Sequence, residues 1–134
     1  MGVSTLSTTS YENIANTVQD GFLLMQLYIY KKRKLSEELI RRAERAGFKA
    51  IILTVDTPIL GRRIADVKEK FGLPNDLSLE NYEGLGDIGP VQTDDGSGLM
   101  AYVSKNIENM LCWDDIAWIR SVTKLPIYLK GKHK

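Results

Sequence analysis

The sequence predicts a parallel α/β fold, on three observations. Four short apolar runs lie along the chain, segments of helical character separate them, and each run stops on polar side chains. The stops are Ser4-Thr5, Gln26-Leu27-Tyr28, Thr54-Val55-Asp56 and Lys130. In a parallel β/α fold the carboxyl ends of neighbouring strands converge, so these groups are expected at one face, around one ligand.

Each element carries its own signal. Residues 1–6 are short and extended in character. Thr9-Ser10-Tyr11-Glu12 has the form of a capping box, in which the Thr9 hydroxyl and the Glu12 carboxylate satisfy orphan amides of a helix running to about Val18. Gln19-Asp20-Gly21 breaks that helix. Residues 22–30 are apolar almost throughout except for Gln26, as expected of a strand buried on both faces. Residues 36–46 form the clearest helix. Leu35, Leu39, Ile40 and Ala43 share one side, while Glu37-Arg41 and Glu38-Arg42 are pairs spaced four apart on the other. Gly47 supplies the left-handed stop.

Residues 50–55, rich in Ile and Val, are a second buried strand, ended by Asp56-Thr57-Pro58. Residues 57–96 are then a long connection with Gly, Pro, Asn and Asp scattered around a basic helical stretch over 62–71. A connection of that length inside a domain is expected to be functional or mobile. After Ser97-Gly98, the positions Leu99, Val103, Ile107 and Met110 mark an amphipathic helix, and residues 113–122 a further one with Asp114 and Asp115 in its first turn. Residues 125–129 are the last strand, ending at Lys130.

Composition narrows the function classes. At 134 residues, with 43% hydrophobic and 26% charged residues, the chain reads as one globular domain. A formal charge of +1 gives no electrostatic case for nucleic acid. No run approaches the ~18 apolar residues of a membrane span and no signal peptide opens the chain, so neither a membrane nor secretion is expected. The single cysteine, Cys112, has no internal partner and no ligand-like neighbours; it is expected to be a packing residue, and no metal is expected. The single histidine, His133, sits in the basic terminal tail and reads as a frayed-end residue, not a base.

Taken residue by residue, the polar stops also have ordinary readings. Gln26 and Tyr28 in an apolar run can be a satisfied core amide and a core aromatic. Asp56 can be a strand-ending turn residue, Arg63 a solvated loop charge and Lys130 a chain-end charge.

Nearly the whole chain resembles the FMN-dependent 2-hydroxy-acid oxidases and dehydrogenases, the family of glycolate oxidase and the flavin domain of flavocytochrome b2. The residues that carry the resemblance are Ser4-Thr5-Leu6-Ser7-Thr8, Gln26-Leu27-Tyr28, the stretch from Arg41 to Ala50, Thr54-Val55-Asp56-Thr57-Pro58, Leu60-Gly61-Arg62-Arg63, Leu125-Pro126-Ile127 and Lys130-Gly131, in the family's order. The resemblance implies a partial (β/α)8 TIM barrel, about half a barrel, matching strands two to five. It also implies FMN as cofactor, an (S)-2-hydroxy acid such as glycolate, lactate or a longer analogue as substrate, and oxidation to the 2-oxo acid with oxygen as acceptor.

The same resemblance assigns roles. Ser4, Gln26 and Thr54 are expected as flavin contacts, and Lys130 as the cation near the pyrimidine side, where it stabilises the negative charge of reduction. Tyr28 is expected to point its hydroxyl at the substrate oxygen and Arg63 to meet the substrate carboxylate. Asp56 is expected to hold the family's catalytic histidine and stabilise its imidazolium. Leu6 stands where plant glycolate oxidases carry a tryptophan, which leaves room for longer hydroxy acids.

The family's histidine, in a segment reading roughly Ser-Asn-His-Gly-Gly-Arg, has no counterpart in the sequence, and Lys132-His133-Lys134 departs from the family's apolar continuation. The expectation is a fragment or truncated product that is inactive alone, of an enzyme that is homo-oligomeric, tetrameric at full length, and peroxisomal in eukaryotes. No import signal is visible in this chain. The alternative is a non-catalytic half-barrel that self-associates or modulates a full-length enzyme. A complete barrel takes ~250 residues, and half of one leaves open edges that favour association.

Overall fold

The computed structural model describes residues 1–59, 61, 63–85 and 98–131. Leu60, Arg62, residues 86–97 at the end of the long connection and residues 132–134, His133 among them, lie outside the described residues, as do the side chains of Leu99 and Val103.

Four strands, β1 (Gly2–Val3), β2 (Leu24–Leu27), β3 (Ala50–Thr54) and β4 (Ile127–Lys130), form one parallel sheet in the order β1-β2-β3-β4. The crossovers are α1 (Tyr11–Thr17) and α2 (Arg33–Arg45), then a longer path through α3 (Ile64–Lys68), a 3-10 turn (Glu80–Tyr82), α4 (Gly98–Asn106) and α5 (Trp113–Val122). Each strand lies beside its sequence neighbour, the order of an opened barrel. The α/β class is the one predicted.

Alternation divides the sheet into two faces. Met25 and Leu27 of β2 and Ile51 and Leu53 of β3 are buried and join Leu35, Leu39, Ile40 and Ala43 of α2 in one core cluster. Burying each of these larger side chains contributes about 1.5–3 kcal/mol. The other face carries Gln26, Ile52 and Tyr128 in one register row and Thr54 beside Lys130 in the next. Gly47, at φ +89°, ends α2 as predicted.

Several local expectations change. Ser10, not Thr9, caps α1: its Oγ accepts from Asn13 N at 3.3 Å. Glu12 therefore lies in the first turn, and its carboxylate takes the Arg42 Nε hydrogen at 2.7 Å instead of reaching back to a capping amide. Arg42 is thus drawn across to α1 and away from Glu38, whereas the Glu37–Arg41 pair forms at 2.8 Å. α2 starts three residues before Ser36, because Ser36 is buried and its Oγ accepts from Tyr30 N. α3 is shorter than the predicted 62–71.

α4 ends at Asn106, since Ile107 leaves it to form an antiparallel bridge with Tyr30; Met110 is exposed. Cys112 is exposed at the N-cap of α5, not packed in the core, where its N–H donates to Asp115 Oδ2 at 2.8 Å. The other Asp115 oxygen pairs with Arg33, whose guanidinium lies 5.1 Å from the Trp118 ring centroid and ties α2 to α5.

Part of the long connection is built into the core. Tyr82 is buried with its hydroxyl bonded to that of Tyr30, and Asn81 Oδ1 accepts from Tyr11 N at 2.9 Å at the start of α1. Arg42 donates to the carbonyls of Glu80 and Asn81. Among the described residues no helix is long and apolar enough to cross a membrane.

Candidate functional site

The carboxyl ends of the strands gather the predicted residues into two groups. The central group spans β1 to β3. Thr5, just after β1, is fully buried, and its N–H donates to Gln26 Oε1 at 3.0 Å. Gln26 Nε2 then donates to Thr54 Oγ1 at 3.1 Å, so one chain of hydrogen bonds crosses three strands. The Thr5 hydroxyl donates to the Gln26 carbonyl and accepts from Tyr28 N at 3.2 Å.

Next to this group is a small cavity of about 90 Å³, lined among others by Tyr28, Thr54, Thr57, Glu108 and Asn109. Thr57 Oγ1 is buried there with no hydrogen-bond partner among the described residues.

The second group lies at the sheet edge. Lys130 Nζ contacts both carboxylate oxygens of Asp56, at 2.9 and 3.0 Å, and Val55 N donates to Lys130 O, continuing the ladder past β3. Gly131 permits this approach: a Cβ there would stand 2.9 Å from Asp56 Cβ and 3.1 Å from Asp56 N. A side chain at 131 would push the end of β4 off the end of β3 and separate the ion pair.

Two predicted residues stand apart. Ser4 is exposed, and its Oγ accepts from Leu6 N at 3.1 Å in a local turn. Arg63 is exposed at the start of α3, with a loose 3.8 Å contact to Asp66, and no described contact links it to the other site residues. Leu6, half-buried, packs against the core.

Sequence reasoning named Thr5 among the strand-end polar groups without giving it a role, and missed Thr57 and Gly131 as builders of the site. For Thr5 the available signal was its place one residue past Ser4, which puts it on the opposite side of the extended chain, facing β2. Thr57 and Gly131 had no local signal, because their importance comes from what approaches them in space.

The donors suit a ring edge rich in acceptors. Gln26 Nε2 has two hydrogens and spends one on Thr54, and the Thr54 hydroxyl accepts that bond while keeping its own hydrogen. A cation stands one strand away. Hydrogen-bond donors and a cation thus lie side by side at the carboxyl ends of a parallel sheet, where β/α folds place their ligands.

The sequence profile of the FMN-dependent dehydrogenases matches residues 1–133, and the chain belongs to that family. It is 51% identical over 131 residues to glycolate oxidase 1 of Zea mays, covering 98% of this chain and 35% of the maize protein. Against the glycolate oxidase of Spinacia oleracea the identity is 50%, with the same coverage. A solved mandelate oxidase with (S)-4-hydroxymandelic acid superposes with a TM-score of 0.84 at 34% identity, over 98% of this chain and 36% of that one. A putative lactate oxidase of Pediococcus acidilactici gives 0.78 at 32% identity, over 98% and 32%. The chain thus spans about a third of the length of these relatives, and its fold is a partial barrel of their type.

Proposed function

We propose that this chain carries the flavin-facing sector of an FMN-dependent 2-hydroxy-acid oxidase, an enzyme that converts (S)-2-hydroxy acids such as glycolate, lactate or a longer analogue to 2-oxo acids with oxygen as acceptor. The observation that carries this reading is the Thr5–Gln26–Thr54 hydrogen-bond chain at the carboxyl ends of β1 to β3, with Lys130 on the adjacent strand.

FMN, when bound, supplies a two-electron acceptor. Gln26 and Thr54 would hold its ring edge through their free hydrogens, and Ser4 would add a hydroxyl from the β1 side. Lys130 places a positive charge where reduction adds a negative one, a preorganised electrostatic stabilisation. Tyr28 directs its hydroxyl to the substrate oxygen, and Arg63 offers a planar guanidinium to the substrate carboxylate. Asp56 holds Lys130 in the present structure. In the whole enzyme the same carboxylate orients a histidine base supplied from outside residues 1–134, and Lys130 turns to the ligand. The family resemblance supports a homo-oligomeric, peroxisomal setting for that enzyme.

The test is a titration of the 134-residue chain with FMN, followed by flavin fluorescence, and then addition of (S)-lactate or glycolate. The expected result is saturable binding without bleaching, and binding weakened at least tenfold by Gln26→Leu or Thr54→Val, about the loss of one good hydrogen bond to a ligand. Equal binding by the variants and wild type overturns the reading.

A second reading is favoured by the edges. Among the described residues β1 and β4 each pair on one side only, and Phe22 and Tyr128 are 63% and 57% exposed. Unpaired parallel edges and exposed aromatics favour association of the 134-residue chain with itself. Sedimentation that stays monomeric up to high micromolar concentration removes this reading.

A further inference from the structure

A glutamine at a ligand face can present its carbonyl oxygen or its amide nitrogen, and its own chemistry does not choose between them. Here Thr5 makes the choice. Its backbone N–H can only donate, and it stands 3.0 Å from Gln26 Oε1. The carbonyl half of the amide is therefore committed to Thr5, and the nitrogen half faces Thr54 Oγ1 at 3.1 Å. The Thr5 hydroxyl braces the strand on both sides of that side chain: it donates to the backbone carbonyl of Gln26 and accepts from the N–H of Tyr28. Its further 3.3 Å approach to Gln26 Oε1 is secondary, because a hydroxyl has one hydrogen. Thr5 is fully buried, so water cannot substitute for it.

We propose that Thr5 is a positioning residue: it locks the Gln26 amide nitrogen-outward, so that the central site offers hydrogens and selects an acceptor-bearing edge of its ligand. The selection of a ring edge rests on the flavin reading above; the lock itself belongs to the chain alone. One Nε2 hydrogen of Gln26 and the hydroxyl hydrogen of Thr54 have no acceptor among the described residues, and they are what the lock presents.

The two claims separate experimentally. In the 15N-labelled 134-residue chain without flavin, the Gln26 side-chain amide, assigned by its loss in Gln26→Glu, is expected to exchange slowly with solvent. Thr5→Val, nearly isosteric but without the hydroxyl, speeds that exchange roughly tenfold, and Thr5→Ser keeps it slow. Unchanged exchange in Thr5→Val overturns Thr5 as a positioning residue, because the backbone N–H that position 5 supplies would then hold the amide without the hydroxyl brace. So does fast exchange in Thr5→Ser, which keeps the hydroxyl and would assign the effect to packing at position 5; read against wild type, Thr5→Ser decides the matter even if Thr5→Val fails to fold. With FMN added, Thr5→Val is expected to bind about tenfold more weakly and Thr5→Ser as wild type. A loosened Gln26 with unchanged FMN affinity overturns the ligand-selecting half of the proposal. A wild-type chain that holds Gln26 locked yet binds no FMN overturns the flavin reading and supports the lock.

Discussion

Leu53 and Leu129 are the same residue type, opposite one another in register on adjacent parallel strands, and the structure treats them differently. Leu53 is 1% exposed in the middle of the sheet; Leu129 is 39% exposed at its edge. The polar residues beyond them repeat the contrast. Thr54 is buried on a strand that has a neighbour on each side and is bonded to Gln26 of one of them, whereas Lys130 has one neighbouring strand among the described residues and holds Asp56 in a partly solvated pair. The organised part of the site is therefore the part flanked by two strands. An edge residue can be placed by the ladder, but it is not enclosed by it.

The largest effect that tests this contrast is truncation of the two leucines. Leu53→Ala should cost about 2–5 kcal/mol in urea denaturation, the range for a fully buried leucine, while Leu129→Ala should cost about 1 kcal/mol. Equal losses would show that β4 is covered in solution. In a longer polypeptide that adds a strand beside β4, the two values should converge.

Next is the central network. Thr54→Val removes the acceptor of Gln26 Nε2 with little change in shape, and should cost about 1–2 kcal/mol of stability, read as a shift in the urea midpoint. At the edge, Lys130→Met should cost less than about 1 kcal/mol, and the difference from wild type should disappear in 1 M salt, because exposed ion pairs are weak and screened.

The smallest effect concerns the ion pair behind the sheet. Burial alone raises the Glu12 carboxyl pKa, but the Arg42 hydrogen bond, the helix backbone and the charges of Arg42 and Arg45 outweigh it and hold the carboxyl below its ordinary value. A carboxyl lowered in the folded state stabilises the fold above its unfolded pKa of about 4.3, and that stability is lost as pH falls through the folded value. Glu12→Gln should therefore flatten the acid limb of the urea midpoint plotted against pH and leave the slope near neutrality unchanged.

The helices were legible where packing and periodicity agreed. In α2, Leu35, Leu39, Ile40 and Ala43 recur at helical spacing and Gly47 closes the end, so local pattern and tertiary burial say the same thing. They separated at α1, where Thr9 and Ser10 are both competent caps and a distant partner decided the outcome. Arg42, thirty residues on, claims Glu12, and Asn81 claims the N–H of Tyr11. They separated again at α4, where Ile107 has helical spacing but leaves the helix to pair with Tyr30.

By itself the sequence determined the parallel α/β class, the order of elements and the polar residues at the strand ends. Strand character and helix periodicity are local, and successive βα units leave little freedom in how neighbouring strands pair. The tertiary structure alone decided which of those polar residues meet. Gln26, Thr54 and Thr5 lie tens of residues apart and meet because their strands pair in one register, and Lys130 reaches Asp56 because Gly131 leaves room for the two strand ends to touch. Ser4 and Arg63, with equally polar side chains, stay outside that network: Ser4 Oγ is taken by the N–H of Leu6, and Arg63 is exposed at the start of α3. The orientation of an amide and the distance between a cation and a carboxylate are relations between strands, and no single stretch of sequence contains them.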